Sequence, residues 1–218
     1  ASSLYNMIDS IFIGQGVGPL AISGLAVTFP FMNLAAAFGA LVGVGASTIV
    51  SVKLGQKDYA SARKALGNVV ALNIIIGVAF MAVSLLFLDK ILLFFGASEN
   101  TLQYAREYME IILYGNVVTH MYLGLNAVMR SGGHPQRSMA MTILTVILNA
   151  ILDPIFIFVL DWGIRGAAIA TILAQIVALT WILISFTNKQ EMLHFESGIF
   201  KLDRRIVTAS LSIGMAPF

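Results

Sequence analysis

The chain has 218 residues, of which 58% are hydrophobic and 11% are charged, and its mean hydropathy is +0.88. Soluble domains carry about 25% charged residues, so this composition excludes a soluble globular domain and indicates an integral membrane protein. The formal net charge of +2 is small and spread over the loops, which argues against nucleic-acid binding. With no cysteine, a disulfide framework and a thiolate metal site are also excluded.

The first apolar stretch is too long for one helix. Residues 10–52 form a run of 43 residues without a charged side chain, whereas one membrane span needs about 20. The segment from Gly14 to Pro19 predicts a break within this run. We therefore expect the first helix to end near Gly14, with its N-terminal half missing from the chain. The second should cover about residues 20–52, with a kink or a long entry at Pro30.

Four further apolar runs predict helices three to six. They lie between residues 64 and 89, 110 and 130, 138 and 160, and 166 and 188, and a seventh helix is expected to begin near Ile206. Lys and Arg concentrate in the second-to-third loop, the fourth-to-fifth loop and the segment after helix six. These loops and the missing N-terminus are therefore expected to be cytoplasmic. Because the chain begins without Met and ends in an apolar run, we expect an internal piece of a longer protein.

A polar stripe crosses the fifth predicted helix. Asp153, followed by Pro154, lies in an apolar run, and Asn149, Thr145 and Thr142 share its helical face. A charged group near the centre of a membrane helix costs about 2.5–3.5 kcal/mol, so it normally has a function. The stripe is expected to face a bundle or a cavity, which favours a transporter.

Counting along the helices brings a second carboxylate to the same level. Asp9, Asp153 and Thr171 are all expected about 7–12 Å below the outer surface. Asn6 shares a face with Asp9, and Gln175 shares one with Thr171. Such a set of oxygens could bind a hard cation or hold a shared proton.

Structural alternatives exist for each of these residues. Asp153 could only cap a helix broken at Pro154, Asp9 could be an interfacial residue, and Thr171 could bond back to its own helix. His120, in the middle of helix four, is interpreted as structural. No Ser/His/Asp arrangement and no metal-ligand spacing is legible in the sequence, which argues against an intramembrane enzyme.

Several segments in the same order resemble one transporter family. They are LYNMID at residues 4–9, IGQ at 13–15, LGQKD at 54–58, ARKA at 62–65, MRSGG at 129–133, NAILDP at 149–154 and GAAIAT at 166–171. With these segments the chain resembles the multidrug and toxic compound extrusion (MATE) transporters, in the DinF-like branch. The resemblance covers almost the whole chain, and its N-x-x-L-D-P segment is the most specific part.

The resemblance implies an all-α polytopic membrane protein of twelve helices in two six-helix lobes around a central cleft. Residues 1–188 would be the N-terminal transmembrane lobe, 189–205 a cytoplasmic linker, and 206–218 the start of helix seven in the second lobe. It also implies a coupling-ion site for H⁺ or Na⁺, without another cofactor. The implied site residues are Asp9, Asn149, Asp153 and Thr171, joined by Tyr108 and Asn126, which are 18 residues apart and expected on one face of helix four.

The implied function is antiport, coupled to H⁺ or Na⁺, that exports amphipathic, often cationic, organic compounds, rather than enzymatic catalysis. Expected partners are small-molecule drugs or toxins, the lipid bilayer of the cell membrane and the missing C-terminal lobe, but no nucleic acid. One alternative is a flippase of the same superfamily for lipid-linked oligosaccharides, which the absence of Lys and Arg from the predicted helix cores disfavours. The other is a half-transporter fragment that does not transport on its own.

Overall fold

The computed structural model describes the backbone of residues 2–196 and 198–215, with side chains from Met7 onward in those ranges. These residues form α-helices and no strand, which confirms the all-α fold class. In chain order the helices are α1 (Ser2–Gly16), α2 (Pro19–Gly55), α3 (Tyr59–Leu86), α4 (Leu88–Phe94), α5 (Glu99–Tyr114), α6 (Asn116–Ser131), α7 (Pro135–Pro154), α8 (Gly163–Thr187) and α9 (Arg204–Gly214). A π-helical turn, Ile155–Val159, continues α7.

The fourth predicted helix is in fact two helices. Instead of one span between residues 110 and 130, α5 and α6 meet at Gly115 with a bend of 56°. The short α4 before them was also not predicted. The early part of α5 carries Glu99, Arg106 and Glu107, so its hydropathy is too low to mark a membrane helix. Within the described residues, α2, α3, α7 with its π turn, and α8 are each long and apolar enough to cross a membrane, and the bent pair forms a fifth candidate span.

The break between α1 and α2 lies at Gly18. Its φ of 116° is a backbone conformation that favours glycine, and Pro19 supplies the fixed φ suited to the first turn of α2. α1 ends at Gly16, two residues beyond the predicted end. Pro30 lies inside α2 without ending it.

Two apolar cores hold the bundle together. One contains Leu66, Leu125 and Ile182, and the other contains Ile13 and Leu113, all fully buried. The outer surface is rich in large apolar side chains, such as Leu86 at 78% exposure and Ile184 at 64%. A bundle that is apolar on the outside is suited to a lipid environment.

The segment between α8 and α9 is docked against the ends of other helices. Glu191 accepts hydrogen bonds from Arg137 (2.9 Å) and pairs with His134 (3.0 Å), and Arg63 pairs with Glu196. The Asn68 side chain on α3 donates to the Lys201 carbonyl (3.3 Å) and accepts from the Asp203 backbone N–H (2.9 Å). α9 then packs on α2, where Gly45 lies directly against the Ser210 backbone.

Candidate ion site and adjoining cavity

Two carboxyl groups from helices that are distant in sequence meet inside the bundle. Asp9 on α1 is 1% exposed and Asp153 on α7 is fully buried. Their side chains are linked through Asn149, which bonds Asp153 and Thr171, and Thr171, which lies against Asp9. Two buried carboxylates in one such cluster repel each other unless a proton or a cation is shared between them. The pair is therefore suited to take up one positive charge.

Polar side chains from three helices surround the pair. The Tyr108 hydroxyl on α5 donates to Asp9 Oδ2 at 2.9 Å, and the Thr171 hydroxyl on α8 lies 3.5 Å from the same oxygen. The Asn149 amide on α7 donates to Asp153 Oδ1 at 3.1 Å and to Thr171 Oγ1 at 3.3 Å. All five of these residues are buried. The structure thus brings together Asp9, Tyr108, Asn149, Asp153 and Thr171, whereas Asn126 and Gln175 lie outside this cluster in the cavity lining.

Three oxygens of the cluster are left free to bind. Asp9 Oδ1, Asn149 Oδ1 and Asp153 Oδ2 are buried and accept no hydrogen bond from another described residue. Carboxylate and amide oxygens are ligands for hard cations, and buried polar atoms in native proteins normally have a partner. The donor set therefore fits a proton shared by the carboxyls or a Na⁺ ion.

The sequence after Asp153 explains the local geometry. Pro154 has no N–H, so it cannot donate to the Ala150 carbonyl one turn earlier. The helix then widens into the π turn at Ile155–Val159, a feature that is frequent at functional sites. Asp153 thus lies where the α-helix passes directly into the π turn. The helical segment continues beyond it, so Asp153 does not cap a free helix end.

Asn126 lies elsewhere, and so do the first residues of the polar stripe. The Asn126 amide donates to the Thr142 hydroxyl at 3.1 Å, and Thr145 bonds the Tyr122 hydroxyl at 3.0 Å. The prediction that Tyr108 and Asn126 share a helical face is wrong, because the bend at Gly115 lies between them. The side chain of Asn6 lies outside the described part of the chain.

A cavity of about 200 Å³ adjoins the carboxyl pair. Thr171 lines it and also contacts Asp9, so the cavity and the pair share a wall. Its other polar lining residues are Asn33, Asn116, Thr119, Tyr122, Asn126, Thr142 and Gln175, and no charged side chain of the described residues lines it. Asn33, Asn116 and Thr119 were not predicted from the sequence. Asn116 and Thr119 could have been found, because they are two polar residues three positions apart in an apolar stretch of helix four.

The MatE family model matches residues 1–155, which is more than half of the chain. The chain belongs to the MatE family. This confirms the resemblance to MATE transporters, which are secondary transporters and not enzymes. Among its relatives, the multidrug export protein MepA of Staphylococcus haemolyticus is 30% identical over 217 residues, and MepA of Staphylococcus aureus is 29% identical. The matched region includes 100% of this chain and 48% of each relative.

Solved MATE structures have the same fold. An inward-facing multidrug resistance MATE family transporter of the MOP superfamily superposes with a TM-score of 0.93 at 29% identity, over 99% of this chain and 49% of that one. A MATE transporter in its bent conformation gives a TM-score of 0.92, over 98% and 48%. The MatE chain described here thus spans about half the length of the relatives it matches.

Proposed function

We propose that the full-length protein is a cation-coupled antiporter that exports amphipathic, cationic organic compounds. The observation that carries the proposal is the buried Asp9–Asp153 pair, which shares Thr171 with an uncharged polar cavity. The names of the MepA relatives, which describe multidrug export, support the same substrate class. The coupling ion is H⁺ or Na⁺, since the oxygens of the pair are suited to both.

In this proposal, Asp9 and Asp153 bind the ion, while Asn149, Thr171 and Tyr108 hold the two carboxyl groups in place. Ion entry from outside neutralises the pair and rearranges α1 near the Gly18 break, which releases the drug outward. Because Thr171 belongs to both the ion site and the cavity, ion and drug weaken each other's binding, and this linkage is reciprocal. The loops rich in Lys and Arg face the cytoplasm.

The described cavity counts against the flippase alternative. A protein that moves lipid-linked oligosaccharides needs cationic side chains to hold the phosphates of its substrate. The described lining contains amides, hydroxyls and apolar groups but no Lys or Arg. This lining therefore offers no cationic contact for a phosphate group.

The test is transport in liposomes with the full-length protein, with a pH gradient and a Na⁺ gradient imposed separately. One gradient should drive efflux of an organic cation, and Asp153→Asn should abolish that response. The matched control is Asp161→Asn, an exposed carboxylate whose φ of 53° asparagine tolerates well. An Asp153→Asn protein that retains wild-type efflux and ion dependence contradicts the proposal. Ion-coupled uptake by the present chain alone would instead show that one lobe is sufficient.

A further inference from the structure

The bend between α5 and α6 connects the ion site to the cavity. α5 carries Tyr108, which donates to Asp9, while α6 carries Asn116 and Thr119, which line the cavity. The two helices meet at Gly115 with an angle of 56°. A Cβ atom at Gly115 would lie within 2.6–2.9 Å of side-chain carbons of Ile172. Glycine is therefore favoured there by the close approach of the Ile172 side chain on α8, and not by the backbone, since a φ of −82° suits any residue.

The first turn of α6 after this bend donates hydrogen bonds to three different helices. The Asn116 amide donates to the Gly77 carbonyl on α3 at 3.2 Å. The Thr119 hydroxyl donates to Gln175 Oε1 on α8 at 2.5 Å. His120 Nε2 donates to the Ala35 carbonyl on α2 at 2.9 Å. Asn116, Thr119 and His120 are called the junction below.

His120 is the member of the junction that neither contacts the carboxyl pair nor lines the cavity with its own side chain. It is fully buried, and two glycines leave room for its ring: a Cβ at Gly39 on α2 would lie 2.8 Å from it, and one at Gly77 on α3 would lie 3.4 Å from it. Its acceptor, Ala35, is itself in the cavity wall. His120 thus joins the wall formed by α2 to the start of α6.

We propose that the junction couples the ion site to the drug cavity. This inference rests on the proposed antiport function and adds the element that transmits the coupling. When an ion binds Asp9, it competes with the Tyr108 hydroxyl for the carboxylate. The hydrogen bond from Tyr108 weakens, and α5 changes position. The three hydrogen bonds of the junction keep the bend rigid, so the movement passes to the α2 and α6 walls of the cavity. His120 is a positioning residue that transmits this movement without binding either ligand.

The experiment measures the Kd of the full-length protein for tetraphenylphosphonium, an amphipathic organic cation, with and without the coupling ion. In the wild type the ratio of the two Kd values should be about 5–150, the usual range for coupled sites. His120→Leu removes the donor and should reduce this ratio by about two- to tenfold, the value of one buried hydrogen bond. The Kd without ion should remain at the wild-type value. His120→Gln places an amide N–H near the position of Nε2 and should restore the ratio.

Asn73→Leu is the matched control, since Asn73 is a fully buried amide on α3 with no hydrogen-bond partner among the described residues. It should leave the ratio unchanged. If His120→Leu fails to fold, Thr119→Val tests the same junction with a side chain of equal shape. A variant of the junction that keeps the wild-type ratio, or an equal loss in Asn73→Leu, overturns this inference alone. A wild-type Kd that does not respond to the ion overturns the proposed antiport and the coupling inference with it.

Discussion

At the scale of single residues, Thr171 connects the carboxyl pair to the cavity. Its hydroxyl lies 3.3 Å from the Asn149 amide and 3.5 Å from Asp9 Oδ2, and its side chain lines the cavity. The sequence placed this residue at the level of the carboxylates by counting along the helix. That count is reliable because α8 is a regular helix from Gly163 to Thr187.

Thr171→Val should lower ion-driven efflux without unfolding the protein. Valine has nearly the same shape as threonine but lacks the hydroxyl, and each hydrogen bond lost is worth about 1 kcal/mol, or about fivefold in affinity. We expect efflux at subsaturating drug to fall by about five- to tenfold in liposomes. Thr180→Val is the control on the same helix, because the exposed Thr180 hydroxyl bonds only its own helix at the Ile176 carbonyl. Equal rates in both variants would contradict a role of Thr171 in the site.

The positions of Asp9, Asn149 and Asp153 could be predicted because helical periodicity and membrane depth need only local sequence. Tyr108 was expected in the site only from the family resemblance, and its hydrogen bond to Asp9, which joins residues 99 positions apart, was not predicted. Asn126 was included from the same resemblance, and its expected position on the helical face of Tyr108 assumed that helix four is straight. A period of 18 residues keeps a face only in a straight helix, and the bend at Gly115 rotates that face away.

At the scale of helices, close contacts between backbones hold α2 against α6. A Cβ at Gly43 on α2 would lie 2.7 Å from the Cα atom of Gly124 on α6. Such backbone contacts between glycines are typical of membrane helix pairs, because they allow extensive van der Waals packing. The backbone cannot move aside as a flexible side chain can.

Gly43→Ala should therefore destabilise the bundle. The extra methyl group forces α2 and α6 apart, and overpacking of this kind typically costs about 1–3 kcal/mol. Gly55→Ala, at the exposed end of the same helix with no atom within 4 Å of the new Cβ, should be neutral or slightly stabilising. Thermal unfolding of the full-length protein in detergent measures both variants. A Tm of Gly43→Ala equal to that of Gly55→Ala would show that the contact is not required.

At the scale of the whole molecule, the segment after α8 packs against the preceding helices. The sequence predicted residues 189–205 as a linker and a helix from about residue 206, and α9 indeed begins nearby at Arg204. The sequence did not reveal how these two segments dock. The segment before α9 bonds Asn68 on α3, and α9 packs on α2 at Gly45. These contacts join residues more than 130 positions apart, and neither hydropathy nor periodicity encodes them.

Docking of this segment should weaken in acid. The hydrogen bond from Arg137, together with the nearby charge of His134, holds the pKa of Glu191 below its ordinary value of 4.5. Since the folded-state pKa is lowered, these contacts stabilise the docked segment above pH 4.5 and are lost as the pH falls through the lowered value. The hydrogen-exchange protection factors of residues 189–196 in the full-length protein, which correct for the intrinsic pH dependence of exchange, should therefore be constant above this range and lower below it. In Glu191→Gln the protection factors should be lower at neutral pH and should lack this transition; an unchanged profile would contradict the assignment.

The central claim is that Asp9 and Asp153 bind one ion as a single unit, and a double-mutant cycle tests it most directly. Ion-driven efflux in liposomes would be compared for the full-length wild type, Asp9→Asn, Asp153→Asn and the variant with both changes. Residues that act as a unit are not additive, so each single variant should lose as much activity as the double variant. Losses that add up independently, or a single variant with wild-type ion dependence, would contradict a shared site.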